Sequence, residues 1–149
     1  MGSHGYEVVE HSAAPPDRVY DLLADATAWP RWASPTIAEG SWERVGDPPP
    51  AGVGAIRRVG RRPVFGREEI LVADRPTHHA YRLVGGPNPV RHYRADVRFE
   101  PEGTGTRITW RGEFDPLVPG TGALLARVYR SFIAGLARKL AEYAARPAL

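Results

Sequence analysis

The stretch APPDRVYDLLADATAWPRW, Ala14 to Trp32, decides how the rest of the chain is read. Pro16 stands where the first turn of a helix accepts proline, and Asp17 puts a negative charge at that helix's positive end. Val19, Leu22 and Leu23 then recur at helical spacing. Asp25 or Thr27 can cap a second short helix, Ala28 to Ala33, with Pro30 in its first turn. Pro30 and Pro35 keep the segment from becoming one long helix. It nevertheless carries Trp29 and Trp32, which are costly to leave in water. Two short helices bearing a tryptophan pair fill a core or wall a cavity, and the flanking sequence has to decide which.

Before this segment, YEVVEH (6–11) reads as a strand. After Pro35 the pattern changes to strands punctuated by turns. TIAEGSWERV (36–45) runs into GDPPPAG (46–52), which no regular element survives. VGAIRRV (53–59) and VFGREEILVA (64–73) flank the hairpin-like break GRRP, and HHAYRLV (78–84) ends at GGPNP (85–89). VRHYRADVRFEP (90–101) and TRITWRGEF (106–114) flank the hairpin turn EGTG. Short turns between successive strands imply an antiparallel meander, because parallel pairing needs long crossovers. Tyr93, Ala95, Val97 and Phe99 share one face; His92, Arg94, Asp96 and Arg98 share the other. Ile108, Trp110 and Phe114 likewise oppose Arg107, Thr109, Arg111 and Glu113, so one face is covered and one is wet.

The cover is the last segment. Nothing breaks a helical pattern from about Thr121 to Ala145, a helix of roughly 37 Å at 1.5 Å per residue. Leu125, Val128, Phe132, Leu136, Leu140 and Tyr143 form an apolar stripe along it. Gly135 in mid-helix costs about 1 kcal/mol relative to alanine, which room for a neighbour or ligand would justify. PGTG (119–122) is the lead-in loop to this helix.

Composition bounds the function. At 149 residues the chain fits one domain, residues 1–149, with 42% hydrophobic and 25% charged residues, large enough to bury a core. It has no cysteine, which excludes a disulfide framework and a thiolate metal site. No apolar run reaches the length of a membrane span and the start is too polar for a secretory signal, so a cytoplasmic protein without stable membrane insertion is expected. The net charge is +3, and Lys139 is the only lysine. The arginines are scattered among acids, as in Arg67-Glu68-Glu69, and the Arg, Ala, Gly and Pro bias fits a GC-rich bacterial genome better than a nucleic-acid surface.

Strand, two short helices, six antiparallel strands and a long terminal helix is a specific order. With APPDRVYDLLADATAWPRW, GVGAIRR, REEI, YRADVRF, GTRITW and FDPLVPGTG it resembles the START-like, or SRPBCC, superfamily of the helix-grip fold, over nearly the whole chain. The later blocks resemble bacterial polyketide cyclase/dehydrase and lipid-transport-like members. The resemblance implies an α+β helix-grip fold: a curved seven-stranded antiparallel sheet enclosing a cavity with two short helices and the C-terminal helix. It places Trp29 in the core and Trp32 at the cavity mouth. It implies a small hydrophobic or aromatic ligand, polyketide- or lipid-like, bound without a cofactor by a monomer or homodimer. The activity it suggests is cyclisation or dehydration; a lipid or metabolite carrier or sensor, and a protein-interaction module, use the same fold.

The candidate chemistry is Arg57 with Glu68 or Glu69. Arg57 has the strand parity of Ala55 and Val59, and Glu68 that of Ile70 and Val72, so both point inward. A charged pair inside a sheet is expensive to desolvate and is retained where it has a use. A register one residue off would substitute Arg58 and Glu69. Arg57 would polarise a carbonyl while Glu68 or Tyr93 moves a proton. Tyr81, Tyr93 and Trp110 share the concave face, and tyrosine hydroxyls there can donate to a carbonyl or enolate. The expected ligand-binding set is Trp32, Tyr81, Tyr93, Trp110, Leu125, Phe132 and Leu136. His78 and His79 are sequence neighbours and point oppositely on a strand, so no shared metal is expected. No nucleophile elbow and no phosphate-binding glycine loop occurs.

Overall fold

The computed structural model describes residues 2–85 and 88–147. Strand β1 (His4–Ser12) leads to helix α1 (Pro16–Ala24), a single 3-10 turn (Ala26–Ala28) and helix α2 (Trp29–Ala33). Strands β2 (Glu39–Arg44), β3 (Ile56–Arg61), β4 (Val64–Asp74), β5 (His78–Leu83), β6 (Val90–Glu102) and β7 (Gly105–Pro116) follow, and helix α3 (Gly122–Ala144) closes the chain. The seven strands form one antiparallel sheet in the order β1-β7-β6-β5-β4-β3-β2. This is the expected α+β helix-grip architecture. The turn expected over 85–89 includes Gly86 and Pro87, which lie outside the described residues.

The local signals act as read. Pro16 occupies the first turn of α1 with Asp17 beside it. The Asp25 carboxylate accepts from the Thr27 backbone N–H at 2.9 Å and from its hydroxyl at 2.7 Å, so the chain reverses before α2. Between β2 and β3 only an isolated bridge, Asp47 to Val53, interrupts the loop. On the sheet, Tyr93, Ala95, Val97 and Phe99 of β6 are buried, as are Ile108, Trp110 and Phe114 of β7. Three register irregularities adjust this alternation, one of them between Trp42 and Arg44 on β2 opposite β3. The register slips between Ile70 and Val72 opposite β5, and between Arg91 and Arg94 opposite β7, where His92 has a φ of 56°.

Helix α3 departs from the expected stripe. Its buried residues are Gly122, Ile133, Leu136, Ala137, Leu140, Ala141 and Ala144, with Leu125, Tyr129 and Tyr143 half-buried against the core. Val128 and Phe132 are exposed. Alanines carry much of the contact because short side chains let the helix axis approach the sheet, and the exposed large residues lie a third of a turn or more away. Gly135 also departs from expectation. Nothing stands within 4 Å of where its Cβ would be, so it makes room for no neighbour.

Candidate functional site

The tryptophan pair is anchored from behind. Trp29 Nε1 donates to the Leu23 carbonyl at 2.8 Å and Trp32 Nε1 to the Leu22 carbonyl at 2.9 Å. Both acceptors lie in the last turn of α1, whose carbonyls have no partner within the helix. The two indoles meet at 4.6 Å between ring centres and are buried. Helix α2 is thereby pinned beneath the sheet with Trp29 turned inward.

Between the sheet and α3 lies a cavity of about 350 Å³. Trp29, Val59, Tyr81, Leu83 and Tyr93 wall its sheet side, and Tyr129, Phe132, Ile133 and Leu136 wall its helix side. Thr36, Arg61, Val64 and Phe132 line it and are also exposed, which marks its mouth. The lining is largely apolar, with Glu68 as its one carboxylate.

Glu68 is held by Arg57, directly opposite it in the β3–β4 register. Arg57 Nε donates to Glu68 Oε1 at 2.7 Å, and Nη1 donates to the Leu23 carbonyl at 2.6 Å. The guanidinium is fully buried, 4.7 Å from the Trp29 ring centre and 4.9 Å from that of Tyr81. Glu68 Oε2 receives no hydrogen bond from the described residues, and a Cβ on cavity-lining Gly66 would stand 4.0 Å from it. The register settles which glutamate is inward. Glu69 lies on the outer face, paired with Arg82 at 2.6 Å and Arg44 at 3.3 Å.

A second polar point is the Tyr6–Tyr93 hydroxyl pair, a buried hydrogen bond between β1 and β6. Gly112, opposite Tyr6 in the register, permits it, because a Cβ there would fall 2.3 Å from the Tyr6 ring. Burial holds the hydroxyls of Tyr6, Tyr81 and Tyr93 well above the usual phenol range, and the Glu68 charge adds to this. All three therefore stay protonated at neutral pH and act as donors.

The expected site residues divide. Tyr81, Tyr93, Phe132, Leu136 and Glu68 line the cavity. Arg57 does not. It lies behind Glu68, with Nε bonded to Glu68 Oε1, Nη1 to the Leu23 carbonyl, and Nη2 buried without a partner among the described residues. Trp32 is packed between α1 and Trp29, and Trp110 donates to the Tyr81 hydroxyl at 3.3 Å; neither reaches the cavity, nor does Leu125. Trp29 takes the place expected of Trp32, because the Nε1 bonds of both indoles to successive carbonyls turn Trp29 toward the sheet. Tyr129 was missed. Its ring centre is 5.3 Å from that of Tyr93 and 5.5 Å from that of Phe114, and its helical spacing from Leu125 and Ile133 was the available signal.

His78 and His79 do point apart. His78 bonds Asp96 at 2.7 Å on the wet face, while His79 is fully buried beside Tyr20 and Tyr81. Burial, then the Arg57 charge, holds the His79 imidazole neutral, well below its usual pKa. No cluster of three or more metal-ligating side chains occurs among the described residues.

The family described as polyketide cyclase/dehydrase and lipid transport matches residues 3–145. Uncharacterized proteins of Mycobacterium tuberculosis and Mycobacterium bovis are each 33% identical over 100 residues, 66% of this chain. The match spans 58% of the length of these curated relatives. A START superfamily protein from Mycobacterium smegmatis superposes with a TM-score of 0.80 at 14% identity, over 95% of this chain and 97% of the other. Ara h 8.0201 superposes at 0.76 with 16% identity over 95% and 97%. A Thermobifida fusca solution structure superposes at 0.76 with 24% identity over 94% and 92%. At such identities the structural likenesses establish the fold alone.

Proposed function

Because the chain belongs to the polyketide cyclase/dehydrase and lipid transport family, we propose that its cavity binds a small hydrophobic or aromatic ligand that is uncharged and carries a hydroxyl. The observation carrying this is the polar wall. Glu68, the one carboxylate among the described lining residues, faces a largely apolar space with Oε2 unpartnered by the described residues, while its counter-charge Arg57 is withdrawn behind it and Arg61 stands at the mouth. A ligand hydroxyl can donate to Glu68, whereas a ligand carboxylate would meet a like charge in a poorly screened site. The tyrosine hydroxyls offer donors to a ligand carbonyl.

The same groups support cofactor-independent cyclisation with loss of water. Glu68 takes a proton from the carbon next to a ligand carbonyl, and the enolate carbon attacks a second carbonyl. That oxygen takes a proton from the Tyr6–Tyr93 pair, in which one hydroxyl hydrogen stays free when the other is shared. The hydroxyl then departs as water with the carboxylic proton of Glu68, while the second proton on the attacking carbon passes to the tyrosinate, which forms the double bond and restores both groups. The cavity orders the chain for ring closure.

Calorimetric titration with 2-naphthol and 2-naphthoate tests the binding reading. Saturable binding of 2-naphthol, at least tenfold tighter than 2-naphthoate and weakened by Glu68→Leu, is the expected result. Equal or preferred binding of the carboxylate would reject it.

A further inference from the structure

The outward face of α3 carries apolar side chains that no element covers. Leu124, Val128 and Phe132 are 64%, 56% and 44% exposed. They stand four residues apart along one side of the helix over about 12 Å. Val64, 69% exposed, lines the cavity mouth together with Phe132, so the exposed stripe runs into the cavity opening. The charge around it is one-sided. From Pro116 to Ala141 the sequence has no acid but carries Arg127, Arg130, Arg138 and Lys139. Arg127 and Arg138 lie beside the stripe on one flank, Arg61 stands at the mouth, and none of the three forms an ion pair among the described residues. Several arginines elsewhere sit against carboxylates, as in Arg75–Asp21 and Arg67–Glu43.

We propose that this face docks on the surface of an anionic lipid bilayer, with Leu124, Val128 and Phe132 dipping between headgroups, the arginines on lipid phosphates, and the cavity mouth turned to the membrane. A helix with an apolar stripe bordered by basic residues, whose one acid, Glu142, lies in its last turn, has the form of an interfacial helix. Each arginine near such a surface adds to the attraction. A second copy fits this face less well, since mating two of them would bring Arg127, Arg138 and Lys139 of each together against a single Glu142 apiece. The mode is peripheral, for no helix is long and apolar enough to cross a membrane. The inference stands on surface residues and holds whatever ligand the cavity takes.

Co-sedimentation with vesicles of phosphatidylcholine alone, and of phosphatidylcholine with phosphatidylglycerol, tests it. The protein should bind the mixed vesicles at least tenfold more tightly, and added salt should weaken that preference. Leu124→Glu with Val128→Glu should abolish binding. Arg127→Glu with Arg138→Glu should weaken binding to anionic vesicles by about tenfold or more. All four positions are exposed, so unchanged circular dichroism and thermal midpoints are expected. Failure to bind anionic vesicles, equal binding to both kinds, or indifference to both double variants would overturn the proposal. So would sedimentation showing a dimer that Leu124→Glu with Val128→Glu dissociates, which would give the face to a second copy. Titration of 2-naphthol without vesicles reads the cavity separately and should not respond to either double variant.

Discussion

Replacing Arg57 by methionine should destabilise the protein far more than replacing Arg57 and Glu68 together. The arginine is fully buried and Glu68 is 8% exposed, so Arg57→Met strands a carboxylate whose Oε1 loses its 2.7 Å donor. Breaking a buried pair from one side costs about 3–5 kcal/mol. The Leu23 carbonyl loses its bond from Nη1 but keeps that from Trp29 Nε1, which limits the further loss. Glu68→Leu alone leaves the guanidinium uncompensated and should cost a similar amount. The double variant, Arg57→Met with Glu68→Leu, fills the same space with apolar atoms and should come within about 2 kcal/mol of the parent. The double-mutant cycle therefore predicts a coupling of at least about 3 kcal/mol. Urea unfolding followed by tryptophan fluorescence reads it directly, since Trp29 contacts Arg57. At a slope near 2 kcal/mol/M, the single variants should melt about 2 M earlier. An Arg57→Met protein within 1 kcal/mol of the parent would refute the argument that each charge depends on the other. Native-like stability of the double variant with lost preference for 2-naphthol over 2-naphthoate would separate the binding role of the pair from its structural one.

Three further outcomes follow from the same geometry. Gly135→Ala should raise stability by about 1 kcal/mol, since a Cβ there meets nothing and the helix gains propensity; a thermal melt that does not rise would show an unseen constraint at that position. His79 is neutral in the fold with a depressed pKa, so the unfolded chain takes up the extra proton below about pH 6.5 and stability falls as pH drops, by up to about 1.4 kcal/mol per pH unit from this group. Urea midpoints at pH 7.5 and 5.5 should therefore differ less for His79→Phe than for the parent, and an equal difference would contradict the assignment. Gly112→Ala should break the Tyr6–Tyr93 contact, because the new methyl falls 2.3 Å from the Tyr6 ring; a cost of about 1–3 kcal/mol is expected for such overpacking, and an unshifted melt would show that β1 can move aside.

The sheet and the Arg57–Glu68 pair were legible in the sequence because strand side chains alternate strictly, and parity alone sends both groups inward. The register slips on β4 and β6 fall beyond Glu68 and ahead of Tyr93, and the third lies on β2, so those parities stayed intact. The helix was less legible. A 3.6-residue period lets neighbouring stripes look alike, and weighting large side chains favoured Val128 and Phe132 over Ala137, Ala141 and Ala144, which carry the contact. The exchange of places between Trp29 and Trp32 was hidden for another reason. It depends on which α1 carbonyl each indole reaches, a three-dimensional choice that spacing does not encode.

The Leu23 carbonyl, which accepts from both Trp29 and Arg57, divides the cavity into a stiff half and a compliant half. Through that one oxygen the end of α1, the indole of α2 and the arginine holding Glu68 on β4 are tied together, so the polar wall shifts only if all of them shift. The opposite wall, Tyr129, Phe132, Ile133 and Leu136 of α3, has no side-chain hydrogen bond among the described residues; α3 is held instead at its far end, where Ser12 Oγ of β1 donates to the Ala141 carbonyl at 2.8 Å. Guests of different bulk should therefore be accommodated by rotation of α3 side chains. The carboxylate stays a fixed point of reference, and tolerance of size and strictness of polarity reside on opposite sides of one chamber.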